Sequence, residues 1–188
     1  MKKQISALDI SKNVISQVVK SGDICIDATA GRGFDTAFLC ELVGESGKVV
    51  SFDIQQSAID STAQLLAERG FSYRAELVLG SHTDMDKYAS PESVSCITFN
   101  FGWLPGGDHN VHTEKASSLE AVEKSLSLLK EGGLLSMIIY YGRENGFEER
   151  DALLEYAKSI ESSEFTVVTA DFSNRTNCYP IPVFVYRG

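Results

Sequence analysis

Asp27-Ala28-Thr29-Ala30-Gly31-Arg32-Gly33-Phe34-Asp35-Thr36 is the stretch on which the fold turns. It follows Ile24-Cys25-Ile26, an apolar run of strand character, and leads into Ala37, Phe38, Leu39 and Leu42 at helical spacing. Strand, small-residue turn and helix in succession form the first unit of a parallel α/β sheet. Gly31 and Gly33 let the backbone approach a ligand closely, and the helix start behind them offers free N–H groups. One strand later, Lys48-Val49-Val50-Ser51-Phe52-Asp53 ends on an acid. A carboxylate at that strand end can accept both hydroxyls of a ribose.

Working outward, the pattern predicts a helix over residues 9–20, with Ile10, Val14 and Val18 on one stripe, stopped at Ser21-Gly22-Asp23. Ser57 to Arg69 reads as a helix ended by Gly70, and Ala75 to Leu79 and Val94 to Phe99 as strands. Asn100 to Lys115, rich in glycine and proline, reads as a loop. Ser117-Ser118-Leu119-Glu120 has capping-box spacing and predicts a helix start, with Gly132-Gly133 as its stop. Leu134 to Tyr140 follows as a strand and Phe147 to Ile160 as a helix. Phe165 to Phe172 and Val183 to Arg187 are strands with no helix between them, so they should pair antiparallel. The expected architecture is one α/β domain over residues 1–188, doubly wound and Rossmann-like. Its sheet is mostly parallel and seven-stranded, with a C-terminal antiparallel hairpin that puts one antiparallel strand at the far end.

Two cofactor classes use such a turn. Dinucleotide binders want a third glycine where this chain has Thr36. Asp27 and Asp35 flank the turn and would repel a pyrophosphate, whereas S-adenosylmethionine carries an ammonium and a sulfonium. The charge of the turn therefore favours S-adenosylmethionine over a nicotinamide dinucleotide. At the end of the third strand, Gly80-Ser81-His82 should lie beside the adenine, where His82 stacks or hydrogen-bonds, or else sits in a solvated loop. Asp84 and Asp86 read as solvated charges.

The loop Asn100-Phe101-Gly102-Trp103-Leu104-Pro105-Gly106-Gly107-Asp108-His109 is where chemistry is expected. Asn-x-x-aromatic at a strand end resembles the Asn-Pro-Pro-Tyr motif of amino-methyltransferases. In-line methylation of an amine needs a neutral nitrogen with its lone pair aimed at the methyl group. The Asn100 carbonyl can hold an N–H of that amine, and Trp103 offers a flat face for a ring. Asp108, His109 and His112 are candidate acceptors of the released proton. His109-x-x-His112 also has loose metal-ligand spacing, but the loop has no cysteine and methyl transfer needs no metal, so no metal is expected.

The composition, 43% hydrophobic and 23% charged, is that of a globular chain, and 17 basic against 26 acidic residues leave a net charge of −9. That balance excludes a general polyanion binder, and an RNA substrate would have to meet a local basic patch. Lys115, Arg143 and Arg175 are the candidates for it, with Lys2, Lys3 and Lys12 contributing from a partner subunit. Cys25, Cys40, Cys96 and Cys178 form no CxxC pair and read as reduced thiols of a cytoplasmic protein. No apolar run is long enough to span a membrane, and Asp9, Lys12 and Asn13 interrupt any signal-peptide core after Met1-Lys2-Lys3-Gln4.

Taken in order, these motifs resemble the bacterial family labelled rRNA methylases and assigned as tRNA 5-aminomethyl-2-thiouridine methyltransferases (MnmM-type). The resemblance runs through Asp27 to Thr36, Asp53, Ser81-His82 and Asn100-x-Gly102-x-Leu104-Pro105-Gly106-Gly107-Asp108. It continues through Gly132-Gly133, Tyr141-Gly142, Gly146 with Glu149, and Asn177 with Pro180. It implies a class I S-adenosylmethionine-dependent methyltransferase, a tRNA wobble uridine as substrate, and a homodimer. The cofactor residues expected are Asp27, Thr29, Gly31, Gly33, Asp35, Thr36, Asp53, Gln55, Ser81, His82, Asn100 and Gly102; the catalytic ones are Asn100, Trp103 and Asp108. Four places depart from the family pattern: Phe34 stands for a histidine, Trp103 for a tyrosine and Arg143 for a Gly-His pair, and the run Asn177 to Pro182 for Asn-Asn-Pro-Pro. Methylation of rRNA, of a small amine or of a protein amide, and S-adenosylmethionine binding without catalysis, are the competing readings.

Overall fold

The computed structural model describes residues 4–102, 115–142, 144–175 and 178–188, which form a seven-stranded sheet in the order β3-β2-β1-β4-β5-β7-β6. Its strands are β1 (Ile24–Asp27), β2 (Lys48–Asp53), β3 (Ala75–Leu79), β4 (Val94–Phe101), β5 (Leu129–Ile139), β6 (Phe165–Thr169) and β7 (Ile181–Arg187). The helices are α1 (Ala7–Val18), α2 (Phe34–Val43), α3 (Gln56–Glu68), α4 (Lys115–Leu128) and α5 (Glu144–Ser159), with a 3-10 helix, His82–Lys87, after β3. β1 lies between β2 and β4, so the strand order reverses there and opens a crevice beyond the carboxyl ends of β1 and β4.

Successive strand residues point to opposite faces, and the sheet carries a core on each. Ile26, Val50, Phe52, Ile97 and Phe99 pack against Val122 of α4 and Leu153 of α5. On the other face Cys25, Val49 and Cys96 pack against Ile15 of α1, Leu39 of α2 and Leu66 of α3. Each such buried side chain contributes about 1.5–3 kcal/mol, which is why these strands read as unbroken apolar runs. Cys25 and Cys96 are aligned on neighbouring parallel strands as buried free thiols, while Cys178 is exposed. No helix among the described residues is long and apolar enough to cross a membrane.

Three expectations change. β7, not an edge strand, is the antiparallel one: it pairs with both β5 and β6 and leaves β6 outermost. Val183, Phe184 and Val185 are buried in succession, as a strand covered on both faces requires, whereas Thr166, Val168 and Thr169 of β6 are exposed. The box at Ser117 does not open α4, which starts at Lys115. Ser118 is buried inside the helix, its hydroxyl donating to Glu149 of α5 at 2.6 Å. A carboxylate buried at Glu149 needs that donor more than the helix end does. The working box is at Ser6, whose hydroxyl accepts the Asp9 N–H at 3.1 Å while Asp9 accepts the Ser6 N–H at 2.9 Å. Gly132-Gly133 lies within β5, where a Cβ on Gly133 would come within 2.7 Å of the Lys130 carbonyl. The pair makes the irregularity opposite Val94 and Cys96 and stops no helix.

Candidate active site

The turn after β1 is built on a buried acid. Asp27 is fully buried, accepts the Thr36 hydroxyl at 2.6 Å and the Thr29 N–H at 3.2 Å, and Thr36 also bonds Ser51 at 2.7 Å. Burial, with Asp35 and Asp53 nearby, pushes the Asp27 carboxyl up to about 7. Thr36 is thus a support behind Asp27, at 0% exposure, and touches no open surface. Gly31 and Gly33 both have positive φ, at 55° and 79°. A Cβ on Gly33 would come within 2.8 Å of the Thr62 backbone, so the missing side chain at Gly33 makes room for α3.

Asp53, at the tip of β2, faces this turn. Its Oδ2 accepts the Gly31 N–H at 2.9 Å and its Oδ1 the Gln55 N–H at 2.9 Å. Ile54 beside it and Leu79, its register partner on β3, are 60% and 53% exposed, two apolar faces next to a carboxylate. Ser81 caps the 3-10 helix, accepting the Thr83 N–H at 3.2 Å and bonding its hydroxyl at 2.8 Å, so its side chain serves that turn. His82 opens the 3-10 helix in place of a solvated loop. Its ring is edge-on to Phe99 at 5.6 Å, its Nε2 is buried without a partner among the described residues, and burial lowers its pKa. Burial therefore favours the neutral ring.

Asn100 belongs to β4, which runs two residues beyond the expected end. Its backbone N–H donates to Thr29 Oγ1 at 2.8 Å and its Nδ2 to Asp35 Oδ2 at 2.8 Å. Gly102 follows at φ 132°, where a Cβ would come within 3.0 Å of Tyr140. Trp103, Asp108, His109, His112, Arg143 and Asn177 lie outside the described residues.

Sequence reading gave no site role to Ile54, Leu79 and Tyr140, and it placed Lys12 elsewhere. Lys12 lies on α1 with its Nζ 3.6 Å from Asp35 Oδ1 of the same chain. A basic residue on a helix face carries no local sign of such a contact. Tyr140, directly after β5, has its hydroxyl pKa pushed up to about 12 by burial, then by Asp35 and Tyr179. Its place at a strand end, like those of Ile54 and Leu79, is the signal that was available. Arg175 donates to Gln4, lies 5.4 Å over the Tyr179 ring and has its Nε buried without a partner among the described residues. Lys115 begins α4 and is exposed. At the same end, Arg150 lies 4.7 Å over Tyr141 and 4.9 Å over Phe147, which is 38% exposed.

These residues suit S-adenosylmethionine. Asp27 and Asp53 lie close enough at the turn for Asp53 to help raise the Asp27 carboxyl, a repulsion that a cationic ligand relieves. Apolar faces beside Asp53 match a ribose carrying a planar base.

The family described as "Putative rRNA methylase" matches residues 49–186. The chloroplastic tRNA (mnm(5)s(2)U34)-methyltransferase of Arabidopsis thaliana is 32% identical over 191 residues, covering 96% of this chain and 69% of that protein. A Clostridium thermocellum crystal structure named "putative rRNA-methylase" superposes with a TM-score of 0.96 at 40% identity, over 99% of this chain and 100% of that one. A Streptococcus mutans crystal structure named "a putative methyltransferase", in complex with SAH, gives 0.88 at 34% identity, over 100% of both chains. Fold and site define an S-adenosylmethionine-dependent methyltransferase. Within that class, the chain belongs to the rRNA-methylase family whose description matches it.

Proposed function

We propose that this chain methylates the aminomethyl nitrogen of 5-aminomethyl-2-thiouridine at the tRNA wobble position. The observation that carries this reading is Asn100 at the strand-order reversal, one N–H of its amide engaged by Asp35 and, among the described residues, its carbonyl left to accept. Such a carbonyl suits a nucleophile that donates N–H groups. The plant relative's name supports tRNA as the carrier of that amine.

When bound, the cofactor supplies an electrophilic methyl group: its C–S bond breaks as a C–N bond forms, and the nitrogen releases a proton. The chain's part is to hold both reactants. Asp53 and Gln55 take the ribose, with Ile54, Leu79 and His82 around the adenine and Ser81 supporting that loop. Thr29, Gly31, Gly33 and Gly102 shape the turn, and Asp27, backed by Thr36, holds Thr29 in it. Asn100 Oδ1 accepts an N–H of the neutral amine and directs its lone pair, a positioning effect. Trp103 as a stacking face and Asp108 as proton acceptor complete the proposal, together with a homodimer.

Mass spectrometry of tRNA nucleosides from a strain lacking the gene tests this. The aminomethyl form should accumulate and the methylaminomethyl form disappear, while an unchanged nucleoside profile ends the tRNA reading. The net charge of −9 favours a second reading, methylation of a small amine, which purified protein offered tRNA and small amines in parallel separates.

A further inference from the structure

Asn100 is gripped twice by the turn after β1, through Thr29 at its backbone and Asp35 at its side chain, each at 2.8 Å. Asp35 is held in turn. Its Oδ1 is 3.6 Å from Lys12 Nζ, its side chain is only 18% exposed, and that ammonium sits 5.2 Å over the Phe38 ring. A carboxylate can accept from an amide NH2 and has nothing to donate to an amide oxygen. The contact therefore admits one orientation of the Asn100 amide. Turned over, the amide would set its oxygen against the carboxylate.

We infer that Asp35 is a positioning residue for the substrate and not a cofactor ligand: it locks Asn100 with the carbonyl oxygen free for the nucleophile, and Lys12 locks Asp35. This rests on the reading of Asn100 as the acceptor for an amine. It adds a rule of selection. With one N–H of its NH2 held by Asp35, the Asn100 amide is fixed and the atom it turns to the substrate is its oxygen, so the site favours a nucleophile bearing N–H over a ring nitrogen or carbonyl oxygen that only accepts. Such a mismatch would set two acceptors face to face, a polar group left unpaired in a closed site.

A reciprocal exchange tests the lock. Asn100→Asp alone opposes two carboxylates and should lower kcat for tRNA methylation about 100-fold or more. Adding Asp35→Asn restores a donor–acceptor pair and again presents an oxygen to the nucleophile, and should recover about tenfold of that loss. SAH affinity by calorimetry should stay within about twofold for Asp35→Asn and Asp35→Ala. An exchange that recovers nothing, or an Asp35 variant that binds SAH much more weakly, overturns the proposal and returns Asp35 to the cofactor.

A readout without substrate covers a variant that folds poorly. In 15N-labelled protein, the Asn100 side-chain amide signal should shift on Asp35→Ala and shift less on Lys12→Ala. A signal that Asp35→Ala leaves in place also overturns the lock. A wild-type protein that methylates no tRNA defeats the functional reading instead, and the amide signal tells the two failures apart.

Discussion

The backbone N–H of Gly31 donates to Asp53 Oδ2 at 2.9 Å, joining the first glycine turn to the end of the next strand. With Gln55 on the other oxygen, the carboxylate is aimed before any ligand arrives. Asp53→Ala removes the ribose acceptor and leaves the Gly31 N–H without its partner. SAH affinity should fall about 30-fold, or ~2 kcal/mol, by calorimetry. Unchanged affinity would move the ribose elsewhere.

Asp27 makes stability depend on pH in an unusual direction. Its carboxyl titrates near 7 in the fold against 3.8 as the ordinary value. Between these values the native state keeps a proton that the unfolded chain has released, so stability falls as pH rises through that window and levels off above it. The melting temperature should therefore drop from about pH 5 to pH 8, and Asp27→Asn should flatten the profile. A wild-type profile already flat there would refute the buried-acid account.

Gly33→Ala tests whether that glycine serves helix packing. Its φ of 79° disfavours any side chain, and a Cβ would meet the Thr62 backbone at 2.8 Å. The two effects together should destabilise by about 3 kcal/mol, read as a lower denaturant midpoint at unchanged slope. A loss of SAH binding at unchanged stability would instead place the ligand in that space.

Arg150 is the prediction for RNA contact. Its guanidinium lies over Tyr141 and Phe147 and is paired to Asp151 at 2.6 Å, so its charge is compensated and its flat face can stack. Arg150→Ala should weaken tRNA binding about tenfold while leaving the salt slope unchanged, because stacking and not a phosphate contact is lost. A slope reduced by about 0.7–0.9 would mean a phosphate contact instead.

The sequence alone determined the layers, the glycine turn, Asp53 at its strand end and Asn100 at the switch point. Each is a local pattern: an apolar run long enough for one strand, a glycine where the chain must turn, a polar residue where the strand stops. Tertiary structure decided the rest. That β7 inserts between β5 and β6 depends on which strand buries both faces, and the two runs alone fit either order. Thr36 behind Asp27, Ser118 on Glu149, and Lys12 reaching Asp35 join residues 9, 31 and 23 positions apart. Spacing along the chain carries no record of such partners, because each polar group takes the nearest complement that packing brings to it, and packing is a property of the whole sheet.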